Sequence, residues 1–158
     1  MFKIESIRTK NLTKNQIKQI CILKKFNWNF SLKNQLRWFV NNVNPMDIHV
    51  CVIYKKKIIG YTVLRLQKSL AKKKLKFYII DTVILSPKFR KRKISNDLMN
   101  FNNRLLNKHK RPGVLYCSSK MIKFYRKFSW KKLNNKKADL IKSTKRLSCM
   151  VYNDNYIK

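Results

Sequence analysis

Acidic side chains are almost missing from this 158-residue chain. Six aspartates and glutamates stand against thirty-nine lysines and arginines, leaving a formal net charge of +33, and Glu5 is the sole glutamate. Histidine is nearly as scarce, with only His49 and His109. The four cysteines, Cys21, Cys51, Cys117 and Cys149, lie far apart with no C-x-x-C pair. A zinc site needs closer ligand spacing or more histidines than these, so no metal is expected. Buried free thiols in a reducing compartment are the plain reading, which points to a cytoplasmic protein. No apolar run approaches the roughly 18 residues that cross a bilayer, so no membrane span is expected. Met1-Phe2-Lys3-Ile4-Glu5 runs into mixed polar sequence and does not read as a signal peptide.

Hydrophobic residues make up 44% of the chain, enough for a real core despite the charge. The length predicts one domain, residues 1–158, burying about two-thirds of its unfolded surface. The charge itself attracts nucleic acid or anionic lipid. A/T-rich codon usage also enriches lysine, asparagine and isoleucine, and arginine, the usual bidentate reader of phosphates and bases, is the minority cation here. A/T-rich codons account for the lysines but not for the near absence of glutamate. Nucleic acid is therefore an open partner but not the favoured one.

Periodicity divides the chain into alternating elements. Leu12-Thr13-Lys14-Asn15-Gln16-Ile17 reads as a helix start, with Thr13 as N-cap, Gln16 as its capping-box partner and Leu12 and Ile17 as staple. A second helix is predicted from Ser31, with Leu32, Leu36, Phe39, Val40 and Val43 on one face, stopping before Pro45. Ile48 to Tyr54 and Ile58 to Leu66 read as a hairpin joined by Lys55-Lys56-Lys57, without the usual Asn-Gly turn. Lys76 to Leu85 is the predicted central strand. Ile94, Leu98, Phe101 and Leu105 stripe the helix after it. A short strand Val114 to Cys117, a short helix Met121 to Phe128 and a closing strand Leu147 to Tyr152 complete the order. The pattern predicts an α/β domain, a single sheet layer with helices on both faces.

Within that order, Tyr78 to Leu106 carries the most information. A β-rich run ends in Ser86-Pro87, then a basic loop, then an amphipathic helix. Such a strand–turn–helix presents free N–H groups and the positive end of the helix dipole to an anion. Pro87-Lys88-Phe89-Arg90-Lys91-Arg92-Lys93-Ile94-Ser95 resembles the acyl-CoA loop of the GNAT acetyltransferase superfamily. Arg90 stands at its Arg/Gln position, Ile94 at its aliphatic and Ser95 at its final small residue. Phe124-Tyr125-Arg126-Lys127-Phe128-Ser129-Trp130 is similar to that family's second motif, an aliphatic-Tyr-x-x-x-Gly-Phe run. The sequence departs from the family at its glycines: Lys93, Ser95 and Ser129 stand where three are usual. Glycine permits positive φ and close backbone approach to a pyrophosphate.

The resemblance implies a GNAT-like single domain, α/β with a mixed, mostly antiparallel central sheet flanked by helices on both faces, acting as an N-acyltransferase that moves an acetyl group from acetyl-CoA to an amine by direct attack. It further implies that Arg90, Lys91, Arg92, Lys93, Ile94 and Ser95 hold the pyrophosphate. Val83, Ile84 and Leu85 would lend backbone groups to the pantetheine arm, Ser118 would stand near the CoA arm, and Tyr125 would protonate the departing thiolate. Asp81 is conspicuous on its own account, as a carboxylate within an apolar strand in a chain so poor in acids. It is read either as a base or amine-orienting group, or as a structural partner of one of the many lysines. Asp47 and His49 share a face at the entrance of the hairpin and are read as a structural pair rather than a base. Cys117 is read as a buried thiol rather than a nucleophile. Trp28 and Trp38 are expected on the acceptor side. The rival reading is a non-catalytic module of the same fold binding RNA or DNA, or an acyltransferase whose acceptor is carried on RNA. The oligomeric state is open, with a dimer plausible.

Overall fold

The computed structural model describes residues 1–69, 74–90, 93–133 and 147–157. In chain order the elements are β1 (Lys3–Arg8), α1 (Lys14–Lys24), α2 (Leu32–Asn42), β2 (Ile48–Tyr54), β3 (Lys57–Lys68) and β4 (Lys76–Leu85). Then come α3 (Ile94–Lys108), β5 (Gly113–Cys117), α4 (Ile122–Arg126), β6 (Lys131–Lys132) and β7 (Ser148–Tyr152). The seven strands form a sheet in the order β1-β2-β3-β4-β5-β7-β6. The pairs β1/β2, β2/β3, β5/β7 and β6/β7 are antiparallel, and β4/β5 is parallel. The expected α/β class and mostly antiparallel sheet are what the structure has.

Two compact bodies make up the chain: Met1–Arg65 with Thr82–Met99, and Leu66–Asp81 with Asn100–Lys158. In the first body, α1 begins as its sequence requires. The Gln16 N–H donates to Thr13 Oγ1 at 3.2 Å, and the Thr13 N–H donates to Gln16 Oε1 at 2.9 Å, closing the capping box. Ser31 caps α2 by accepting from the Asn34 N–H. Ile20, Cys21 and Leu23 of α1 and Phe39 of α2 bury against Cys51, Ile58, Tyr61, Val63 and Ile84 of β2, β3 and β4. The β2–β3 hairpin turns on Lys55 and Lys56, both left-handed, at φ 46° and 62°. That is the backbone of a type I′ turn, adopted here by lysines in place of Asn-Gly. Strand β1 had no expectation behind it: KIESIR carries only two isoleucines, and an edge strand needs little more than backbone pairing with β2.

In the second body a buried cluster joins Leu75, Phe77, Val114, Leu133, Cys149, Val151 and Ile157. Gly113 opens β5 because nothing larger fits: a Cβ there would stand 2.4 Å from Leu106 of α3 and 2.9 Å from the Trp130 ring. Asn103 of α3 ties the same corner together, donating to the Phe128 carbonyl and accepting from Trp130 Nε1, each at 3.0 Å. The parallel register of β4 and β5 covers Tyr78–Gly113 and Ile79–Val114 only.

Candidate active site

The residues singled out by sequence divide between the two bodies. Val83, Ile84, Leu85, Arg90, Lys93, Ile94 and Ser95 belong to the first; Asp81, Ser118 and Tyr125 belong to the second. Lys91 and Arg92 lie outside the described residues.

In the first body, β4 ends at Leu85 and the Ser86 N–H donates to the Ile59 carbonyl at 2.8 Å. A single 3-10 turn, Pro87–Phe89, leads off the strand. Two side chains fasten this turn. Phe89 meets the Tyr54 ring edge-on at 5.6 Å. Arg90 donates from Nε to the Leu85 carbonyl at 3.2 Å and from Nη2 to Asn27 Oδ1 at 2.8 Å. Its guanidinium is thus occupied in clamping the loop to the strand that precedes it. Neither Asn27 nor Tyr54 carries a sequence signal for this role.

Helix α3 then begins with the Lys93 carbonyl accepting from the Asn96 and Asp97 N–H groups. Helix geometry leaves the N–H groups of Ile94 and Ser95 without intrahelical acceptors. Lys93 is exposed beside them, Ile94 is buried as the helix anchor, and Ser95 is half-buried. Such a terminus, on a helix of fifteen residues, has the donors that suit an anion. Its first turn also holds Asp97, a carboxylate that suits the dipole but opposes an incoming anion.

Within β4, Thr82 has φ 58° and is buried. A β-branched residue in the left-handed region is a genuine outlier, costing roughly 1–3 kcal/mol unless its surroundings hold it there. The in–out alternation of burial nevertheless continues past it, with Asp81 and Val83 half-buried and Thr82 and Ile84 buried. Ile84 commits its side chain to the core shared with α1 and α2. Val83 is half-buried. Leu85 packs against Gly60, where a Cβ would come within 2.4 Å of it.

In the second body, α4 brings up Tyr125, which is 6% exposed. Burial, with Cys117 adding to it, pushes the phenol up to about 12. Phe124 stands edge-on to both Tyr125 and Phe128 at 5.2 Å. No hydrogen bond commits the Tyr125 hydroxyl among the described residues. The helix closes in a Schellman turn: the Ser129 N–H donates to the Arg126 carbonyl and the Trp130 N–H to the Tyr125 carbonyl. Ser129 takes φ 63°, which explains why a glycine is usual at that motif position. Cys117 is buried with its thiol shifted upward by desolvation, a poor nucleophile. Ser118 follows β5 and is exposed, and Asp81 is half-buried and not without a partner.

The Asp47–His49 pair is structural, yet the two side chains are not each other's partners. Asp47 accepts from the Asn44 N–H at 2.9 Å, with Arg65 Nε 3.9 Å away. His49 is fully buried between hydroxyls, Nε2 at 2.8 Å from Thr9 Oγ1 and Nδ1 at 2.7 Å from Tyr61 Oη. Burial lowers its pKa to about 4, so the ring is neutral. Near the α1–α2 connection Trp38 is covered by Lys24 Nζ at 3.9 Å and by Arg65 at 5.7 Å, while Phe26, Trp28 and Phe30 are exposed.

No protein-family model matches the chain, and no curated protein matches its sequence. Solved structures match its fold over nearly its whole length. Escherichia coli ElaA superposes with a TM-score of 0.72 at 16% identity, covering 96% of this chain and 99% of that one. An acyl-CoA N-acyltransferase from Pseudomonas aeruginosa gives 0.71 at 11% identity, covering 96% and 99%. Arabidopsis thaliana Naa50, in complex with the bisubstrate analogue CoA-Ac-MVNAL, gives 0.66 at 17% identity, covering 96% and 97%. At these identities the likeness is one of fold, and the fold is that of the GNAT N-acetyltransferases.

Proposed function

We propose that the chain is one acyltransferase domain that moves an acetyl group from acetyl-CoA to an amine. The observation that carries this reading is the fastened strand–turn–helix from Thr82 to Ser95. A kinked strand gives way to a clamped turn and then to a helix N-terminus with an exposed lysine beside it. The charge and the free donors there fit a pyrophosphate, and a solved relative by fold carries a CoA-based bisubstrate analogue. Ile94 and Ser95 N–H groups and the Lys93 ammonium are the proposed phosphate ligands, with the ammonium acting as a point charge where glycine is usual. Arg90 is reassigned from phosphate ligand to loop clamp.

Acyl-CoA supplies the activated thioester. The amine nitrogen attacks its carbonyl carbon, the carbon–sulfur bond breaks, and the amide retains the acyl group. The amine sheds one proton and the sulfur gains one. We assign the latter to Tyr125, whose phenol carries its proton at neutral pH and whose hydroxyl no hydrogen bond commits among the described residues, with solvent restoring the proton. Asp81 is the candidate that orients the amine or takes its proton. The Val83 N–H, next to the left-handed Thr82, is the backbone donor proposed to support the carbonyl oxygen as charge develops. Four buried free thiols agree with a reducing compartment, the cytoplasm being the simplest. Among the described residues no helix is long and apolar enough to cross a membrane.

The test is release of free CoA thiol in a screen of amines: amino sugars, polyamines, peptide N-termini and lysine peptides. Turnover with any of them above the hydrolysis background supports the reading. Absence of CoA binding under the same conditions overturns it.

A further inference from the structure

A cavity of about 410 Å³ in the second body plays no part in the acyl-transfer reading. Its lining comes from the start of β4, the end of α3 and Tyr156, none of them a residue assigned to acyl transfer. Lys74, Lys76, Lys110 and Arg111 line it together with Tyr156, and among the described residues no carboxylate does. Its size falls within the range of small-ligand sites.

The local fold constrains the corner that carries two of these cations, Lys110 and Arg111. Helix α3 ends in a Schellman turn, the Lys110 N–H donating to the Asn107 carbonyl and the Arg111 N–H to that of Leu106. Lys110 takes the left-handed position at φ 50° and stays exposed. Pro112 follows Arg111 at once, so the backbone of this corner has little freedom. Arg111 sits 6.0 Å over the Tyr78 ring, and its Nη1 is buried with no hydrogen-bond partner among the described residues. A buried donor left unpaired is costly, and an acceptor oxygen that draws the guanidinium toward the cavity offsets that cost. Asp154, two residues from Tyr156, is already paired with Lys131 at 3.7 Å. Four like charges around one concavity repel one another until an anion enters.

The lining also selects among anions. Leu75 and Pro112 are buried, so the exposed apolar surface is the Tyr156 ring, which is 40% exposed. One flat ring beside several cations suits a base and its phosphates. It offers nothing to acyl chains, and a free inorganic anion has no use for it.

We propose that this cavity binds single-stranded nucleic acid, the four cations taking backbone phosphates and Tyr156 stacking on a base. The experiment is fluorescence anisotropy of a fluorescein-labelled RNA of about 16 nucleotides with the full chain. Lys76→Glu/Lys110→Glu is compared with a charge-matched control, Lys33→Glu/Arg37→Glu, on α2 in the other body. The cavity pair should weaken binding about tenfold or more, and flatten the log–log salt slope by about 0.7 for each phosphate no longer neutralised. The control should stay within about threefold of the parent, as expected for a weakened long-range attraction alone. Tyr156→Leu should cost about fivefold or more while Tyr156→Phe keeps the affinity. Equal weakening by the cavity and control pairs would overturn the site. So would equal affinity for Tyr156→Leu and Tyr156→Phe, which would leave a small-anion pocket. Competition by phosphatidylserine vesicles as effective as unlabelled RNA would overturn the choice of nucleic acid.

Discussion

Acid should destabilise this protein through one buried histidine. His49 has no solvent exposure, is hydrogen-bonded on both nitrogens to hydroxyls of Thr9 and Tyr61, and stacks on Phe39 and Tyr61 at 5.4 and 5.8 Å. Burial lowers its pKa from 6.5 to about 4. Between those two values the unfolded chain binds a proton that the folded chain refuses, so stability falls as pH falls. The full contribution is present above the unfolded pKa and is lost progressively down to about 4. A shift from 6.5 to about 4 corresponds to about 3 kcal/mol, a large share of the 5–15 kcal/mol typical of a domain. Only six carboxylates exist to add their own acid-dependent term, so the histidine should dominate the profile. Urea unfolding from about pH 7.5 to about pH 4.5 would read this as a falling midpoint at constant m. His49→Gln keeps hydrogen-bonding capacity but cannot charge; it should be less stable at neutral pH and nearly flat across the window. A parent protein equally stable at both ends, or a variant with the parent's slope, would refute the reasoning.

Two further substitutions test the α4 motif. Tyr125→Phe should lower kcat about 100-fold with little change in CoA affinity, measured on whichever amine the thiol-release screen identifies; unchanged turnover would return Tyr125 to a packing role. Ser129→Gly should raise stability by about 1 kcal/mol in thermal or urea unfolding, because Ser129 is exposed and its φ of 63° strains any residue with a Cβ. A neutral or lowered midpoint would show that the serine contributes something the Schellman turn does not explain.

Elements long enough to be periodic or capped are legible in the sequence. The Thr13–Gln16 capping box, the Ser31 cap and the stripe of α3 stand where the pattern puts them, and β4 spans Lys76–Leu85 as predicted. Strands β1 and β6 are not legible: both pair at the sheet's margins through backbone, and β6 is only two residues long. The Lys55-Lys56 turn, Thr82, Lys110 and Ser129 all take positive φ without glycine. A chain with two glycines hides its turns, because the residues that usually announce left-handed backbone are absent. The role of Arg90 is hidden in a similar way. Charge and position suggest a phosphate ligand, but its acceptors, the Leu85 carbonyl and Asn27, become visible only once the loop is folded. His49 shows the opposite limit: its sequence neighbour Asp47 looks like its partner, while its true partners stand 40 residues before it and 12 after it.

Calorimetric titration with acetyl-CoA, on the parent chain and on Lys93→Glu, tests the central claim most directly. The parent should bind saturably, and at about 100 times the dissociation constant the ligand should add about 2.7 kcal/mol to its stability. Lys93→Gly should shift affinity less than about tenfold, because it restores the usual loop backbone while removing a charge worth about as much. Lys93→Glu sets a like charge beside the pyrophosphate at the start of α3 and should cost several kcal/mol, about 100-fold or more in affinity. No binding by the parent at millimolar acetyl-CoA, or equal affinity in Lys93→Glu, would contradict the account.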